Sequence, residues 1–394
     1  MKILFVAMSN SIHTARWVSQ IADQGWDLHL FPSIDVGQVH PLLKNITVYH
    51  SFFGKQNNIQ PTVRIKGFPV LSERLAFALR LFAKELMPKY RIRQLRRLIK
   101  KLKPDLIHTM ETQHAGYLLI DAIKGTLINL PTWVHSIWGS DLYLFSRLDG
   151  HQEKIKQVLS MCNYIACEGQ RDIKLAKELG FNGKFLPTMQ ATSGFDIDRC
   201  KKIKGFGPVA KRKIIALKGY QGWAGRALVG LRALEKCKDL LSGYKLVIFS
   251  TFPDSDVSIS AELFNHSSGI PIEILSPDTK HEEILKILGQ SRFSIGLSIS
   301  DGVPNSLLES MAMGCFPIQS WTSCADEWIK DGETGILVPP DDPEIVAMAI
   351  KRALKDDKLV NLAAEKNLSI IKNILDKNNV TKKVINTYHS ILKY

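Results

Sequence analysis

Asp301 and Glu309 stand eight residues apart in the stretch SDGVPNSLLESMAMGCFPIQS, residues 300–320. A Gly and a Pro follow the first acid, and an apolar helical pattern carries the second. The preceding FSIGLSIS predicts a strand ending at Ser300, with Asp301 and Gly302 in the turn. Pro304 suits the first helical position, where its missing N–H is not needed, and Gly314 suits the helix end. Backbone N–H groups at that helix start, around Asn305 and Ser306, carry partial positive charge and suit a phosphate. A carboxylate such as Glu309 can accept hydrogen bonds from two neighbouring hydroxyls, as in a ribose diol. Taken alone, the stretch reads first as a plain strand–turn–helix unit with an exposed Glu.

Two further sets of residues could do related chemistry. In ALKGYQGWAGRALVGLRAL, residues 216–234, a strand, a Gly-rich turn and a helix follow in order. Arg226, near the helix start, could clamp a diphosphate in bidentate fashion, with Lys218, next to Gly219, as the other candidate cation. In the N-terminal half, SNSIHTARW offers Asn10 and His13, IHTMETQHAG offers His108, Glu111 and His114, and VHSIWGSDLY offers His135, Trp138, Gly139 and Asp141. A Trp stacks on the apolar face of a sugar or an isoprenoid chain, and Asp141 could bind acceptor hydroxyls. Each His taken singly reads as a core or surface residue. The Asp-x-Asp of PDSD, residues 253–256, reads as a surface turn rather than a metal site, and KGYQGWAGR lacks the Gly-Lys-Ser/Thr ending of a P-loop.

The elements that must position these groups alternate. KILFVAM, DLHLF, PDLIHTM, TWVHSIW and NYIACEG read as buried strands, with a helix predicted over Thr14–Gln24 after the first. The pattern breaks between Gly183 and Pro208, and resumes with RKIIALKGY, YKLVIFS, PIEIL and FSIGLSIS and the helices between them. Residues 343–394 read as mostly helical, with breaks near Asp356 and Asn378. Alternation of this kind implies βαβ units and right-handed crossovers. The fold class expected is α/β: two doubly wound, Rossmann-like parallel-sheet domains in series, facing across a cleft, with ligands beyond the carboxyl ends of the strands.

The run from Asp301 resembles the donor-binding motif of family 4 glycosyltransferases (glycosyl transferases group 1), which are retaining, sugar-nucleotide-dependent enzymes of the two-domain GT-B fold. That motif usually reads Glu-Gly-x-Pro, four residues, then Glu-Ala-Met-Ala-x-Gly-x-Pro-Val. Here it stands as Asp301, Gly302, Pro304, Glu309, Ser310, Met311, Ala312, Gly314, Pro317 and Ile318. DEWIKDGETGILVPPDDPEIVAMAI, residues 326–350, is similar to the continuation of that motif. The resemblance implies that Glu309 binds the nucleotide ribose, and that Gly302, Val303, Pro304, Asn305 and Ser306 lie against the sugar and diphosphate of the donor. Asp301 is one methylene shorter than the usual Glu, which bears on the sugar accepted. The family places Gly-Arg after the strand and Lys-Gly at the helix start where this chain has Gly219-Tyr220 and Gly225-Arg226. The site carries over; the individual residues, Arg226 first and then Lys218 with Gly219, do not carry over one for one. VHSIWGSDLY resembles the HGSD stretch of the family, with Trp138 where His is usual.

These readings predict residues 1–200 as an N-terminal acceptor-binding domain and 201–375 as a C-terminal nucleotide-sugar-binding domain, with 376–394 a C-terminal helix returning to the first. The catalytic set expected is Arg226, Asp301 and Asp141, with acceptor binding by Asn10, His13, Glu111, His114, Trp138 and Gly139. The co-substrate implied is a nucleotide sugar, a UDP-sugar above all, with no metal. The reaction implied is retaining transfer to a hydroxyl of a glycan or lipid-linked glycan, of polysaccharide, O-antigen or capsule type. A sugar-nucleotide epimerase or hydrolase on the same fold is the first alternative, and a basic nucleic-acid-binding protein the second.

The chain of 394 residues carries a net charge of +14. Such charge suits acidic partners, and its densest run, KELMPKYRIRQLRRLIKKLKP over residues 84–104, predicts an amphipathic helix that could lie on an anionic membrane. No nucleic-acid motif accompanies that charge, so nucleic acid is not an expected partner. Six scattered cysteines without Cys-x-x-Cys, no secretory signal and no long apolar run give a cytoplasmic expectation, with peripheral attachment to the inner face of the membrane.

Overall fold

The computed structural model describes residues 1–126, 130–190, 192–205, 207–253 and 255–392. The chain divides into two compact units, one of Met1–Ser193 with Val380–Tyr394 and one of Gly194–Asn379. These divisions fall at 193/194 and 379/380, where the strand–helix pattern predicts 200/201 and 375/376.

The first unit is built on eight strands, β1 (Lys2–Ala7), β2 (Asp27–Pro32), β3 (Ile46–Phe53), β4 (Arg64–Pro69), β5 (Leu106–Met110), β6 (Thr132–Ser136), β7 (Tyr164–Ala166) and β8 (Lys184–Phe185). All pair in parallel, in the order β4-β3-β2-β1-β5-β6-β7-β8. The apolar run of β1 is explained by its position: Ile3, Phe5 and Ala7 enter one buried cluster while Leu4 and Val6 enter the cluster on the opposite face. A strand covered on both faces needs apolar side chains at successive positions. The helix Lys377–Leu392 seats Val384, Tyr388 and Ile391 in the first of these clusters. Its Tyr388 hydroxyl accepts from Trp17 Nε1 at 2.8 Å and lies 2.6 Å from His108 Nδ1.

The second unit carries β9 (Ile214–Lys218), β10 (Lys245–Phe249), β11 (Ile272–Ile274), β12 (Ser291–Gly296), β13 (Phe316–Ser320) and β14 (Ile336–Val338), all parallel, in the order β11-β10-β9-β12-β13-β14. In each sheet the strand order reverses once, between β1 and β5 and between β9 and β12. Loops beyond the carboxyl ends of strands at such a switch diverge and leave a crevice for ligand.

Local expectations are corrected in four places. The first helix is Ile12–Ser19, capped by the Ser11 hydroxyl accepting from the His13 N–H, and is shorter at its end than Thr14–Gln24. β12 ends at Gly296 instead of Ser300, because Leu297 and Ile299 bond to Arg226 and Ala224 of another loop. Pro304 is the capping residue, and the helix itself is Asn305–Ala312. The aperiodic stretch 183–208 contains β8 and a helix over Ile197–Ile203.

Candidate functional site

In the second unit, the loop after β9 and the segment after β12 are joined by hydrogen bonds from the Arg226 N–H to the Leu297 carbonyl (3.0 Å) and from the Ile299 N–H to the Ala224 carbonyl (2.8 Å). Gly219 is required by close approach: a Cβ there would lie 2.6 Å from Thr251 Cβ and 2.8 Å from Ile248 Cγ2. Its neighbour Lys218 points its ammonium at Asp301, with Nζ 3.8 Å from Oδ2. The other Asp301 oxygen accepts from the Gly302 N–H at 2.9 Å. The cation and the first acid of the motif therefore meet at the β9/β12 switch point.

Arg226 sits at the capping position of the helix Ala227–Glu235. Its Nε donates to Asp341 Oδ1 at 2.6 Å, and its Nη1 donates to the Gly225 carbonyl at 2.8 Å and the Gly222 carbonyl at 3.3 Å. The guanidinium thus ties the Gly-rich turn together while Lys218 stands beside Asp301. Asp341 belongs to the PPDDP run, whose tie to this turn has no signal in the local sequence.

The helix Asn305–Ala312 begins after Pro304, whose side chain has no group to accept from its first N–H groups. The Ser306 hydroxyl is buried there without a hydrogen-bond partner, as is the Ser298 hydroxyl nearby in sequence to the strand end. Unpartnered buried hydroxyls are uncommon in folded proteins, and a bound polar ligand is one way of satisfying them. Glu309, on the same helix, is 6% exposed. It is held by His281, whose Nε2 lies 2.7 Å from Oε1. His281 begins the helix His281–Gln290, and its role was missed in sequence because nothing local links it to a carboxylate 28 residues on. A pocket of about 310 Å³ opens beyond β9 and β10, lined by Gly219, Tyr220, Ser250, Thr251, Phe252 and Ser255 among others.

In the first unit, the residues singled out in sequence separate into two groups. His108 and His135 lie in the interior. His108 is bonded to Tyr388 and, at 2.7 Å, to the Ser136 hydroxyl; His135 is bonded to Thr109 at 2.7 Å and Thr112 at 2.9 Å. Burial pushes both imidazoles down to about 3, so they are neutral struts of the sheet, not site residues.

The second group surrounds the ends of β1, β5 and β6. Asn10 is exposed in the loop after β1, and the His13 ring lies 5.3 Å from the Trp138 ring. Glu111 directly follows β5 at φ 80°, a positive value that a residue with a side chain adopts at a cost in backbone strain. Its carboxylate accepts from the His114 N–H and bonds His114 Nδ1 at 2.9 Å. That hydrogen bond raises the pKa of the half-exposed imidazole above its ordinary value. Gly139, at φ 86°, turns the chain after Trp138 into the short helix Ser140–Tyr143.

Asp141 departs from its expected place in the catalytic set. Its carboxylate is buried, accepting from the Thr112 N–H at 2.8 Å, the Thr112 hydroxyl at 3.1 Å and the Trp138 N–H at 3.1 Å. It fixes the loops after β5 and β6 and is a positioning residue. Burial, with the nearby Glu111 charge, pushes its pKa up to about 7, against the pull of those hydrogen bonds. The sign follows: a carboxyl with a raised folded pKa binds its proton more tightly in the native state, so its contribution to stability is lost as pH rises from about 4 through 7. Urea titrations across that range should show an added downward slope in wild-type stability that Asp141→Asn lacks. Parallel slopes for the two proteins would refute the assignment.

Of the Asp-x-Asp pair, Asp254 lies outside the described residues, and Asp256 is the first residue of the helix Asp256–Ser268. Among the described residues no helix is long and apolar enough to cross a membrane.

Residues 229–356 match the family described as Glycosyl transferases group 1, and residues 2–68 and 76–168 match that described as Glycosyl transferase 4-like. No curated protein matches the chain in sequence. Among solved structures, sucrose-phosphate synthase from Thermosynechococcus elongatus superposes with a TM-score of 0.70 at 14% identity over 100% of both chains. Anabaena HepE, solved with UDP-glucose, gives 0.67 at 12% identity over 99% of this chain and 100% of that one. A UDP-forming trehalose-phosphate synthase from Burkholderia xenovorans gives 0.66 at 13% identity over 100% and 99%. At these identities the likeness is one of fold, and the fold shared is GT-B.

Proposed function

The chain belongs to the group 1, family 4-like glycosyltransferases, and on that premise we propose that it transfers a sugar from a UDP-sugar to a glycan hydroxyl with retention at the anomeric carbon. The observation that carries this reading is the convergence of Lys218 on Asp301 at the β9/β12 switch point, followed by the start of the helix that bears Glu309, where the Ser306 hydroxyl is buried without a partner. That is a cation, a row of N–H donors and a carboxylate set in the order of a diphosphate and a ribose. The donor base is taken as uracil because HepE was solved with UDP-glucose and the trehalose-phosphate synthase is described as UDP-forming.

In this reading Glu309 accepts from the ribose hydroxyls, with His281 fixing its orientation. The N–H groups of Asn305 and Ser306, the Ser306 hydroxyl and Lys218 bind the diphosphate, and Arg226 keeps the Gly-rich turn in shape. Gly302, Val303 and Pro304 line the sugar, with Asp301 against it. The bond from the anomeric carbon to the phosphate oxygen breaks, and the bond from the acceptor oxygen to that carbon forms on the same face. The acceptor proton passes to the departing phosphate. Negative charge grows on the leaving group, where preorganised donors have their largest effect. Acceptor binding falls to the first unit: Trp138 with His13 as an aromatic surface, and Asn10, Gly139 and the Glu111–His114 pair as polar contacts. The acceptor is a growing polysaccharide, lipid-linked at the membrane.

The test is a screen of nucleotide sugars by thermal shift. A ligand that binds only the native state raises the melting temperature by mass action. A UDP-sugar should give the largest rise, and adding a glycan acceptor should then release UDP. No shift with any nucleotide sugar, or free sugar released without acceptor, would overturn the proposal.

A further inference from the structure

The helix Glu73–Leu86 carries its polarity inside out. Its inner face is Ala76, Arg80 and Ala83, all buried. Arg80 is bonded there to the Phe52 carbonyl at 2.6 Å and to Glu73 Oε1 at 2.6 Å. The outward positions hold Leu75, Phe77, Leu81, Phe82 and Leu86, from 44% to 62% exposed. Leu71, just before the helix, is 97% exposed, and Phe68 on the edge strand β4 is 63% exposed. A surface helix of a water-soluble fold turns such residues inward. A run of large exposed apolar side chains marks a surface with a partner.

Charge identifies that partner. Residues 64–103 hold thirteen Lys and Arg against two acids, a net +11 of the +14 carried by the whole chain. Arg80 and Arg91 are turned inward, and Glu73 is taken up by Arg80. Arg74, Lys84, Lys89, Arg93, Arg97 and Lys100 are exposed on or beside the apolar face. The helix Tyr90–Leu102 supplies charge alone, since Leu95 and Ile99 are spent in the core of the unit. This relocates the surface expected over residues 84–104. A second copy of the chain would have to bring this cationic surface against itself with little acid to offset it. A bilayer of anionic lipid offers acyl chains to the Phe and Leu side chains and phosphates to the Lys and Arg around them.

We propose that Phe68, Leu71 and the outward face of Glu73–Leu86 form a docking surface for an anionic lipid bilayer, ringed by the basic residues of 64–103. The surface does not depend on the sugar-transfer reading, because lipid binding is measured without donor or acceptor.

The test uses the full chain and vesicles of phosphatidylcholine with and without 30–40% phosphatidylglycerol, roughly the range in which a basic surface responds at physiological salt. The protein should float with the phosphatidylglycerol vesicles and stay behind with pure phosphatidylcholine. The double variant Phe77→Ser with Phe82→Ser should bind at least about tenfold more weakly, since apolar burial is needed beside charge. Both side chains are exposed, so its melting temperature should match the wild type. No binding to phosphatidylglycerol vesicles in 0.15 M salt (~8 Å screening length), or equal binding by the variant, would overturn the proposal. So would a concentration-dependent dimer that the double variant abolishes, because the face would then belong to a second copy.

Discussion

Glu309→Ala lowers the affinity for UDP by roughly 10²-fold or more, measured by calorimetric titration, while the protein stays folded. The size follows from what the carboxylate does. It is 6% exposed and oriented by His281 at 2.7 Å, so its remaining acceptor capacity is fixed before ligand arrives. Hydrogen bonds to a charged group are worth about 1.5–3 kcal/mol each, and a ribose diol makes two. Truncation removes both and leaves the diol to water. Glu309→Gln separates charge from geometry: it keeps one acceptor oxygen and should fall between wild type and alanine. His281→Ala leaves the carboxylate in place but less constrained, so its effect should be the smallest of the three. The half-exposed His281 can rehydrate, so loss of the pair at Glu309 should cost the fold less than it costs nucleotide binding. Unchanged UDP affinity in Glu309→Ala would remove the ribose assignment, and with it the main argument for a donor site in this unit.

The strand–helix alternation was legible because a parallel sheet covered on both faces has only one way to read, as consecutive apolar runs. β1 and β5 show this most plainly. The donor motif was legible because its function is local: a turn, a helix start and a carboxylate on the same short helix. What stayed hidden was long-range. His281 reaches Glu309, Asp341 reaches Arg226 from 115 residues on, and Tyr388 reaches His108 across 280 residues. No periodicity encodes such pairings. His108, His114 and His135 had identical standing in sequence, yet burial sent His108 and His135, inside β5 and β6, into the core and left His114, after β5, half-exposed beside Glu111. The outward apolar face of Glu73–Leu86 was hidden for the opposite reason. An amphipathic pattern gives the two faces of a helix but not which one meets the protein, and here the small residues and one arginine took the inside.

Lys218→Ala should lower kcat by about 10²–10³ with little change in KM for the donor, the effect expected when one donor to a developing oxyanion is removed. The interaction is weak before reaction: Nζ lies 3.8 Å from Asp301 Oδ2, with both side chains partly exposed, and such a pair contributes about 0–1 kcal/mol to stability. Charge accumulates on the diphosphate only as the anomeric bond breaks, so the cation binds the transition state more tightly than the ground state. A loss confined to kcat is the signature of that difference. Arg226→Ala should also lower turnover, but by a separate route. Its Nη1 is bonded to the Gly222 and Gly225 carbonyls and its Nε to Asp341, so its removal loosens the turn and should raise KM together with lowering kcat. Asp341→Ala, which frees the guanidinium without deleting it, discriminates further. If Arg226 acts through the turn, this variant shares the KM increase; if Arg226 itself meets phosphate, turnover is kept. Full turnover in Lys218→Ala, with a kcat-only loss in Arg226→Ala, would reverse the two roles and return the phosphate contact to the arginine.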